Sequence, residues 1–251
     1  MSTRAADAGA PGALAGRVIL ISGAYGGLGR AAAIACAQAG ATTVLLGRKV
    51  PKLNRVYDAI AKHPGDALPE PLNYPLDLAG ATVDDYAELA ARIEAQLGRL
   101  DGVLHCAVDF AGLTPLEHTD PAAFARTLHV DLTARWWLTQ ACLPLLKRAA
   151  DSAVVFAIDA DVGNDAYRGA YGLAQHAQSA LVAMLSAELA ASTVRVSGLH
   201  PRPMRTPLRA KAYVDDEDQA ARDPSDYAEA CVTLLSSAGQ THRGQVWSPR
   251  L

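Results

Sequence analysis

The chain lacks the features that mark a membrane-spanning, disulfide-linked or metal-binding protein. No uninterrupted apolar run approaches the ~20 residues that a membrane-spanning helix needs. Only four cysteines are present (Cys36, Cys106, Cys142 and Cys231), and no two of them form a Cys-x-x-Cys pair. We therefore expect no disulfide framework and no metal, and we interpret each cysteine as a small buried apolar residue in a reducing compartment.

The net charge does not indicate a polyanionic partner, and the N-terminal residues do not indicate export. The net charge is only −3 at pH 7 over 251 residues, so we expect no nucleic acid and no membrane among the partners. Residues 1–13 are mostly small or polar and lack the apolar core of a signal peptide. We interpret them as a flexible tail, expect residues 14–251 to form one domain, and expect a cytoplasmic protein.

Strand and helix signals alternate along the chain, half of whose residues are apolar. Strands are predicted at 18–21, 42–46, 72–76, 103–107, 153–158, 194–199 and 245–247, and helices from the first glycine turn to about 39, at 50–63, 83–97, 121–148 and 169–191, and from 224 onward. This alternation predicts an α/β fold, a single-domain doubly wound parallel sheet of about seven strands with helices on both faces.

The first strand leads into a glycine-rich turn at Gly23, Gly27 and Gly29, and a helical run follows. Glycine allows positive φ angles and close backbone approach, and the start of a helix offers free N–H groups and a positive dipole end to an anion. A strand, a glycine turn and a helix in this order predict a dinucleotide site. The alternative is a glycine-rich turn with nothing bound.

The two longest predicted helices are apolar on more than one face. Their apolar residues are Trp136, Trp137, Leu138, Leu145 and Leu146 on one helix, and Leu173, Leu181, Met184, Leu185 and Leu189 on the other. One face of each helix must cover the sheet. The remainder is either additional core or a subunit interface, and we favour an interface in a homodimer or homotetramer.

The order of elements and several motifs resemble the short-chain dehydrogenase/reductase family over residues 15–248. Ser22 stands first in the family's Thr-Gly-x3-Gly-x-Gly, residues 100–107 resemble the stretch leading into Asn-Asn-Ala-Gly, and 138–146 is also similar to the family. The resemblance implies a Rossmann-like fold with a nicotinamide dinucleotide. It implies a cofactor site of Ser22, Gly23, Tyr25, Gly27, Leu28, Gly29, Arg48, Asp77, Leu78, Cys106, Ala107, Tyr171, Gln175, Pro201 and Thr206.

Within that site the resemblance gives some residues particular tasks. Asp77 lies where family members bind the adenine, and Thr206 matches a residue that contacts the nicotinamide carboxamide. NAD-binding members carry an acidic residue after the second strand, where this chain has Arg48. A guanidinium suits a 2′-phosphate, so NADP(H) is favoured over NAD. The alternative is that Arg48 and Lys49 are only a solvated helix start.

Family members catalyse hydride transfer with a Tyr, a Lys four residues later, a Ser 12 or 13 residues earlier and an Asn on the first long helix. Tyr171 matches the Tyr, but Gln175 stands in the Lys position. The Ser position falls at Ile158 or Asp159, and the Asn position is Asp131. The resemblance thus implies that Tyr171, Gln175, Asp159 and Asp131 form the catalytic group, in an altered form.

A small shift of the alignment does not restore the missing groups. No lysine occurs between Lys147 and Lys211, and no serine or threonine between Ala153 and Gln178. Further departures from the family pattern are Cys106 for an asparagine, Val108 for a glycine, and Arg202 for the glycine after Pro201. A neutral Gln175 cannot lower the pKa of a phenol, and a nearby Asp159 raises it.

The sequence thus supports two functions. The first is a nominal hydride transfer between NADP(H) and a carbonyl or alcohol substrate, with ordinary catalysis weakened. The alternative is a catalytically inactive relative that acts as a cofactor-binding or protein-partner subunit. Replacement positive charge could come from Arg168 or from one of three histidines, His105, His129 and His176. Ordinary structural roles are the alternative for these histidines, and for Arg168 an ion pair with Asp159 and Asp161.

Overall fold

The computed structural model describes residues 12–65, 67–162, 165–213 and 221–250. Seven parallel strands form one sheet in the order β3-β2-β1-β4-β5-β6-β7. The strands are β1 Val18–Ser22, β2 Thr42–Gly47, β3 Leu72–Pro75, β4 Gly102–His105, β5 Ser152–Ala157, β6 Val194–Leu199 and β7 Val246–Trp247. The order reverses at β1, from which successive strands run outward in both directions, so the predicted doubly wound sheet is confirmed.

Helices cover both faces of this sheet. They are α1 Gly27–Gln38, α2 Val50–Ala61, α3 Val83–Leu97, α4 Pro121–Leu128, α5 Ala134–Arg148, α6 Gly169–Glu188 and α7 Ala228–Leu235. Short 3₁₀ helices lie at Leu116–His118, Ala160–Val162, Arg209–Lys211, Pro224–Tyr227 and Ser237–His242. None of the described helices is long and apolar enough to cross a membrane.

Alternating side chains of the buried strands divide the core into two layers. Val18 and Leu20 of β1 point into the layer covered by α3, α5 and α6. Ile19 and Ile21 of the same strand point into the layer covered by α1, α2 and α7. Both faces of the sheet are therefore apolar and covered, and ligands have access mainly to its carboxyl edge.

The predicted single helix over 121–148 is two α-helices joined by a π-helical turn at His129–Thr133. This turn is local and leaves the chain helical throughout, so the spacing of apolar residues gave no sign of it. It buries Asp131 beneath the carboxyl edge of the sheet, where the carboxylate accepts a hydrogen bond from the backbone N–H of Asp109 at 2.6 Å. The local departure from α geometry thus places a carboxylate next to the site.

Smaller corrections concern the ends of elements. The fourth strand ends at His105, so Cys106 and Ala107 leave the sheet, and the last helix begins with a 3₁₀ turn at Pro224. Helix α6 ends at Glu188, before the expected 191. Of the expected tail, residues 1–11 lie outside the described residues.

Candidate cofactor cleft and reaction site

One cleft of about 1110 Å³ lies along the carboxyl edge of the sheet. The turn after β1 forms its middle, the residues after β2 and β3 form one end, and the residues after β4, β5 and β6 form the other. The strand order reverses at this place, which leaves a crevice for a ligand. All predicted cofactor residues except Ser22 line this cleft, and Ser22 lies buried at its base.

The glycine turn holds the backbones of β1 and β4 close together. Gly23 has a φ angle of +68°, and a Cβ there would lie 2.6 Å from the backbone nitrogen of Ala107. Next to it, Ser22 accepts a hydrogen bond through Oγ from that same backbone N–H at 3.4 Å. A side chain at position 23 would therefore strain the turn and push the two strands apart.

The other two glycines of the turn also leave no room for a side chain. A Cβ on Gly27 would lie 2.7 Å from the methyl group of Thr206, and a Cβ on Gly29 would overlap the carbonyl oxygen of Gly23. At the start of α1, Gly26 provides no side-chain cap for the first N–H groups of the helix. These N–H groups border the cleft, so the turn fits the pyrophosphate of a dinucleotide.

The end of the cleft beside β2 carries a group of basic side chains. Arg48 is exposed, and its Nη1 lies 3.9 Å from Oδ2 of Asp77, so the two predicted adenosine-binding residues are neighbours. Sequence reasoning missed Lys52, one helical turn after Arg48, whose Nζ lies 5.5 Å from the centre of the Tyr25 ring. Tyr25 packs over Gly47, where a Cβ would lie 2.7 Å from the ring. This arrangement offers two cations to a phosphate.

At the other end of the cleft, Tyr171, Asp159 and Gln175 form one group. The hydroxyl of Tyr171 donates to Oδ2 of Asp159 at 3.4 Å, and Gln175 accepts through Oε1 from the backbone N–H of Asp159 at 2.9 Å. Tyr171 also packs against Phe110, with ring centres 5.0 Å apart. The tertiary structure thus brings together three of the four predicted catalytic residues.

This environment opposes ionisation of the Tyr171 phenol. Burial raises the pKa of Tyr171 above its usual value, and the charges of Asp159 and Asp131 raise it further. Burial likewise raises the pKa of Asp159, although nearby His200 and Arg168 lower it in part. The phenol is consequently a weaker acid than an exposed tyrosine.

Asp131, the fourth predicted catalytic residue, lies under this group and does not line the cleft. Burial raises the pKa of Asp131 to about 7, against the opposing influence of Arg135. Its Oδ2 has no hydrogen-bond partner among the described residues. Asp131 is thus a buried carboxyl that changes charge near neutral pH.

None of the three candidate histidines lines the cleft. His105 is buried, stacks on Phe156 at 4.6 Å and contacts Thr139 Oγ1 at 2.9 Å, and burial lowers its pKa well below the usual value. His129 contacts the carbonyl oxygen of Leu78 at 3.1 Å, and His176 is exposed. All three have ordinary structural or surface positions.

The expected ion pair of Arg168 with Asp159 and Asp161 is wrong. Arg168 instead pairs with Asp165 at 3.7 Å and lies over the ring of Tyr213, while Asp161 lies 3.2 Å from Nε2 of His200. Arg168 is the N-cap residue of α6 and contacts Asp165 and Tyr213, whereas Asp161 sits in a 3₁₀ turn and contacts His200 at the end of β6. Spacing along the chain could not reveal either orientation.

Sequence reasoning also missed two cations at this end of the cleft. Arg135, in the first turn of α5, is 1% exposed and lies at the floor of the cleft. Lys211 donates from Nζ to the carbonyl oxygen of Phe110 at 2.8 Å. The only available sign of Arg135 was a charged residue in a stretch after Asp131 that carries no other charge.

Comparisons with known proteins agree on one family. The profile of the family described as enoyl-(acyl carrier protein) reductase matches residues 23–248. The uncharacterized oxidoreductase YciK of Escherichia coli K12 is 33% identical over 233 residues, which cover 92% of this chain and 90% of that protein.

Solved structures give the same result. A structure from Pseudomonas syringae described as a short chain dehydrogenase is 40% identical, has a TM-score of 0.89, and is matched over 95% of this chain and 96% of its own. A short chain dehydrogenase from Escherichia coli CFT073, complexed with NADPH, is 33% identical with a TM-score of 0.88 over 95% and 98% of the two chains. The likeness therefore extends over nearly the whole fold.

Proposed function

The chain belongs to the short-chain dehydrogenase/reductase family, and on that premise we propose that it binds NADP(H) and transfers hydride slowly between it and a carbonyl or alcohol substrate. The main support for slow transfer is the contact between the hydroxyl of Tyr171 and Asp159 at 3.4 Å. A carboxylate beside a proton-donating phenol disfavours the phenolate that donation leaves behind. The NADPH complex of the related protein supports the choice of coenzyme.

Some residues of the cleft bind the cofactor, and others transfer a proton to the substrate. The glycine turn and the start of α1 hold the pyrophosphate, and Arg48 with Lys52 holds the 2′-phosphate. When bound, the dihydronicotinamide supplies the hydride. Tyr171 gives its proton to the carbonyl oxygen, and Gln175, whose Oε1 is taken by the N–H of Asp159, offers its amide N–H groups to a ribose hydroxyl.

The first test is a titration with NADPH and NADH, followed by tryptophan fluorescence and thermal melting. A ligand that binds the native state raises its stability, so saturable binding with NADPH favoured is the expected result. If neither nucleotide binds, the proposal is wrong in its first step.

The second test compares wild-type turnover of a panel of ketones and aldehydes with that of an Asp159→Ser, Gln175→Lys double variant. The double variant removes the unfavourable charge and adds a favourable one, and we expect kcat to rise about 10²-fold or more. An Arg148→Gln variant, at the exposed far end of α5, serves as the control. Wild-type turnover equal to that of the double variant would show that catalysis is not weakened.

The exposed apolar side chains of α5 and α6 suit a subunit interface, which is compatible with either function. Trp136 on α5 is 42% exposed, and Leu173 and Met184 on α6 are 54% and 60% exposed. Large apolar side chains on two adjacent helices suit a protein interface. We propose self-association through α5 and α6, as a homodimer or homotetramer.

Sedimentation of the wild type and of a Trp136→Glu variant tests this interface. The variant should dissociate at concentrations where the wild type remains assembled, because a buried carboxylate opposes association. A Val83→Glu variant changes an exposed apolar residue on α3 instead and should leave assembly intact. A monomeric wild type would exclude the self-association.

A further inference from the structure

Arg135 is the largest side chain in the described structure that is fully buried. It occupies the first turn of α5, directly after the π-helical turn that holds Asp131. Its side chain lines the cleft and lies between the ends of β4 and β5 and the middle of α6.

The hydrogen bonds of the guanidinium fix this position. Nη2 donates to the carbonyl oxygen of Ala107 at 2.6 Å, and Nη1 donates to that of Ala157 at 3.0 Å and to Oε1 of Gln178. All three acceptors are neutral, and although the charge of Asp131 raises the pKa of Arg135, no described carboxylate lies within ion-pair distance of the guanidinium. Its Nε has no hydrogen-bond partner among the described residues.

A buried charge without an ion-pair partner costs several kcal/mol of desolvation. Tying together two carbonyl groups does not require such a charge, because a neutral donor can do the same. A buried cation whose pKa is shifted and that lies in a cleft is a candidate for a functional role. The charged groups around Arg135 indicate what that role is.

The guanidinium faces the helix that carries the tyrosine. Gln178, its direct partner, lies two turns after Tyr171 on α6, and Gln175 lies between them. The charges that act on Tyr171 come from four groups: Asp159 and Asp131 raise its pKa, and Arg135 and Arg168 lower it. Arg168 is tied to Asp165 and Tyr213, and of the two cations Arg135 is the one that is fully buried.

We infer that Arg135 is a positioning residue that supplies, from beneath the site, positive charge that stabilises the Tyr171 phenolate. The inference rests on the proposed function. As the carbonyl carbon gains the hydride, the phenol O–H bond breaks and its proton goes to the carbonyl oxygen, which leaves the alcohol and a phenolate. Solvent then returns a proton to the phenolate. Until then, Arg135 stabilises the negative charge of the phenolate. It takes the place of the lysine that family members carry four residues after the tyrosine, where this chain has Gln175.

The test uses an ¹⁹F-labelled tyrosine at position 171 whose fluorine atoms bring its ionisation into an accessible pH range. The pKa of this residue is read by NMR in the wild type and in Arg135→Gln. We expect the pKa to rise by about one unit or more in the variant, a tenfold or larger loss of phenolate. Arg148→Gln, the same change at the exposed end of the same helix, should leave it unchanged.

Rescue separates the charge of Arg135 from its structural contacts. A Gln175→Lys change added to Arg135→Gln should bring the pKa of residue 171 back toward the wild-type value, whereas the thermal midpoint stays lowered by the lost hydrogen bonds. Arg135→Met is the second variant, because an apolar side chain can replace a buried charge with little loss of stability. A pKa that is unchanged in both uncharged variants overturns the inference.

The NMR readout does not depend on turnover. If the fluorotyrosine pKa responds to Arg135 but no carbonyl is reduced, the charge effect is present and the proposed hydride transfer is wrong. If turnover occurs and kcat and its pH profile are the same without Arg135, the inference fails and the proposed function survives.

Discussion

The hydroxyl of Tyr171 lies 3.4 Å from Oδ2 of Asp159, a carboxylate twelve residues earlier in the chain. The charge of Asp159 raises the pKa of the Tyr171 phenol, whereas the hydrogen bond that Tyr171 donates lowers the pKa of Asp159 and so favours its carboxylate. The pair therefore links the acidity of the phenol to the protonation state of one carboxyl group.

This link predicts that carbonyl reduction is faster at low pH. As pH falls through the raised pKa of Asp159, the carboxyl becomes neutral and its repulsion of the phenolate disappears. An Asp159→Asn variant keeps the shape without the charge, so its kcat should exceed that of the wild type by about tenfold near pH 8. Pre-steady-state NADPH oxidation across pH measures both effects. If the rate of NADPH oxidation declines with rising pH to the same extent in the wild type and in Asp159→Asn, the prediction is contradicted.

Arg48 provides a test of coenzyme choice. Removing a charge-assisted contact to the 2′-phosphate in Arg48→Ala should weaken NADPH binding by about 10- to 100-fold, an effect of about 1.5–3 kcal/mol. NADH has no 2′-phosphate, so its Kd should change little. Arg55→Ala, on the exposed surface of α2, is the matched control. If the affinity for NADPH and the affinity for NADH fall by the same factor, Arg48 does not bind the 2′-phosphate.

Gly23 and Gly80 form a contrasting pair. A Cβ at Gly23 meets the backbone nitrogen of Ala107 at 2.6 Å with φ at +68°, whereas a Cβ at Gly80 has no atom within 4 Å. Gly23→Ala should cost about 2 kcal/mol or more and lower the thermal midpoint by about 5 °C or more. It should also abolish NADPH binding. Gly80→Ala should change the midpoint by less than about 2 °C.

Asp131→Asn should stabilise the protein at neutral and alkaline pH. Because the native pKa of Asp131 is raised to about 7, the native state binds more protons than the unfolded state between about pH 4 and 7. The free energy of unfolding of the wild type therefore falls as pH rises through that window. The asparagine variant has no carboxyl group at position 131, so its free energy of unfolding does not fall for this reason.

Above pH 7 the gain in the free energy of unfolding should be about 2–4 kcal/mol. Urea unfolding at pH 4 and pH 8 measures it. Equal stabilisation at both pH values would show that the charge of Asp131 is not the cause.

The sequence determined the order of elements and the place of the cofactor turn. Buried strands such as β1 are short, continuous apolar runs, and the spacing of Gly23, Gly27 and Gly29 after β1 marks the turn, so both can be identified along the chain. The seven strands and the cleft at their carboxyl edge follow from that periodicity and from the right-handed crossover.

Only the tertiary structure decided the electrostatics of the reaction site. The hydrogen bond between Asp131 and Asp109, the contact of Arg168 with Tyr213 and the enclosure of Arg135 all depend on contacts between residues far apart in sequence. A pKa depends on burial and on the distance between charges in space, and neither quantity is present in residue spacing. The chain therefore showed which residues stand at the expected catalytic positions, whereas the fold showed which charges surround Tyr171.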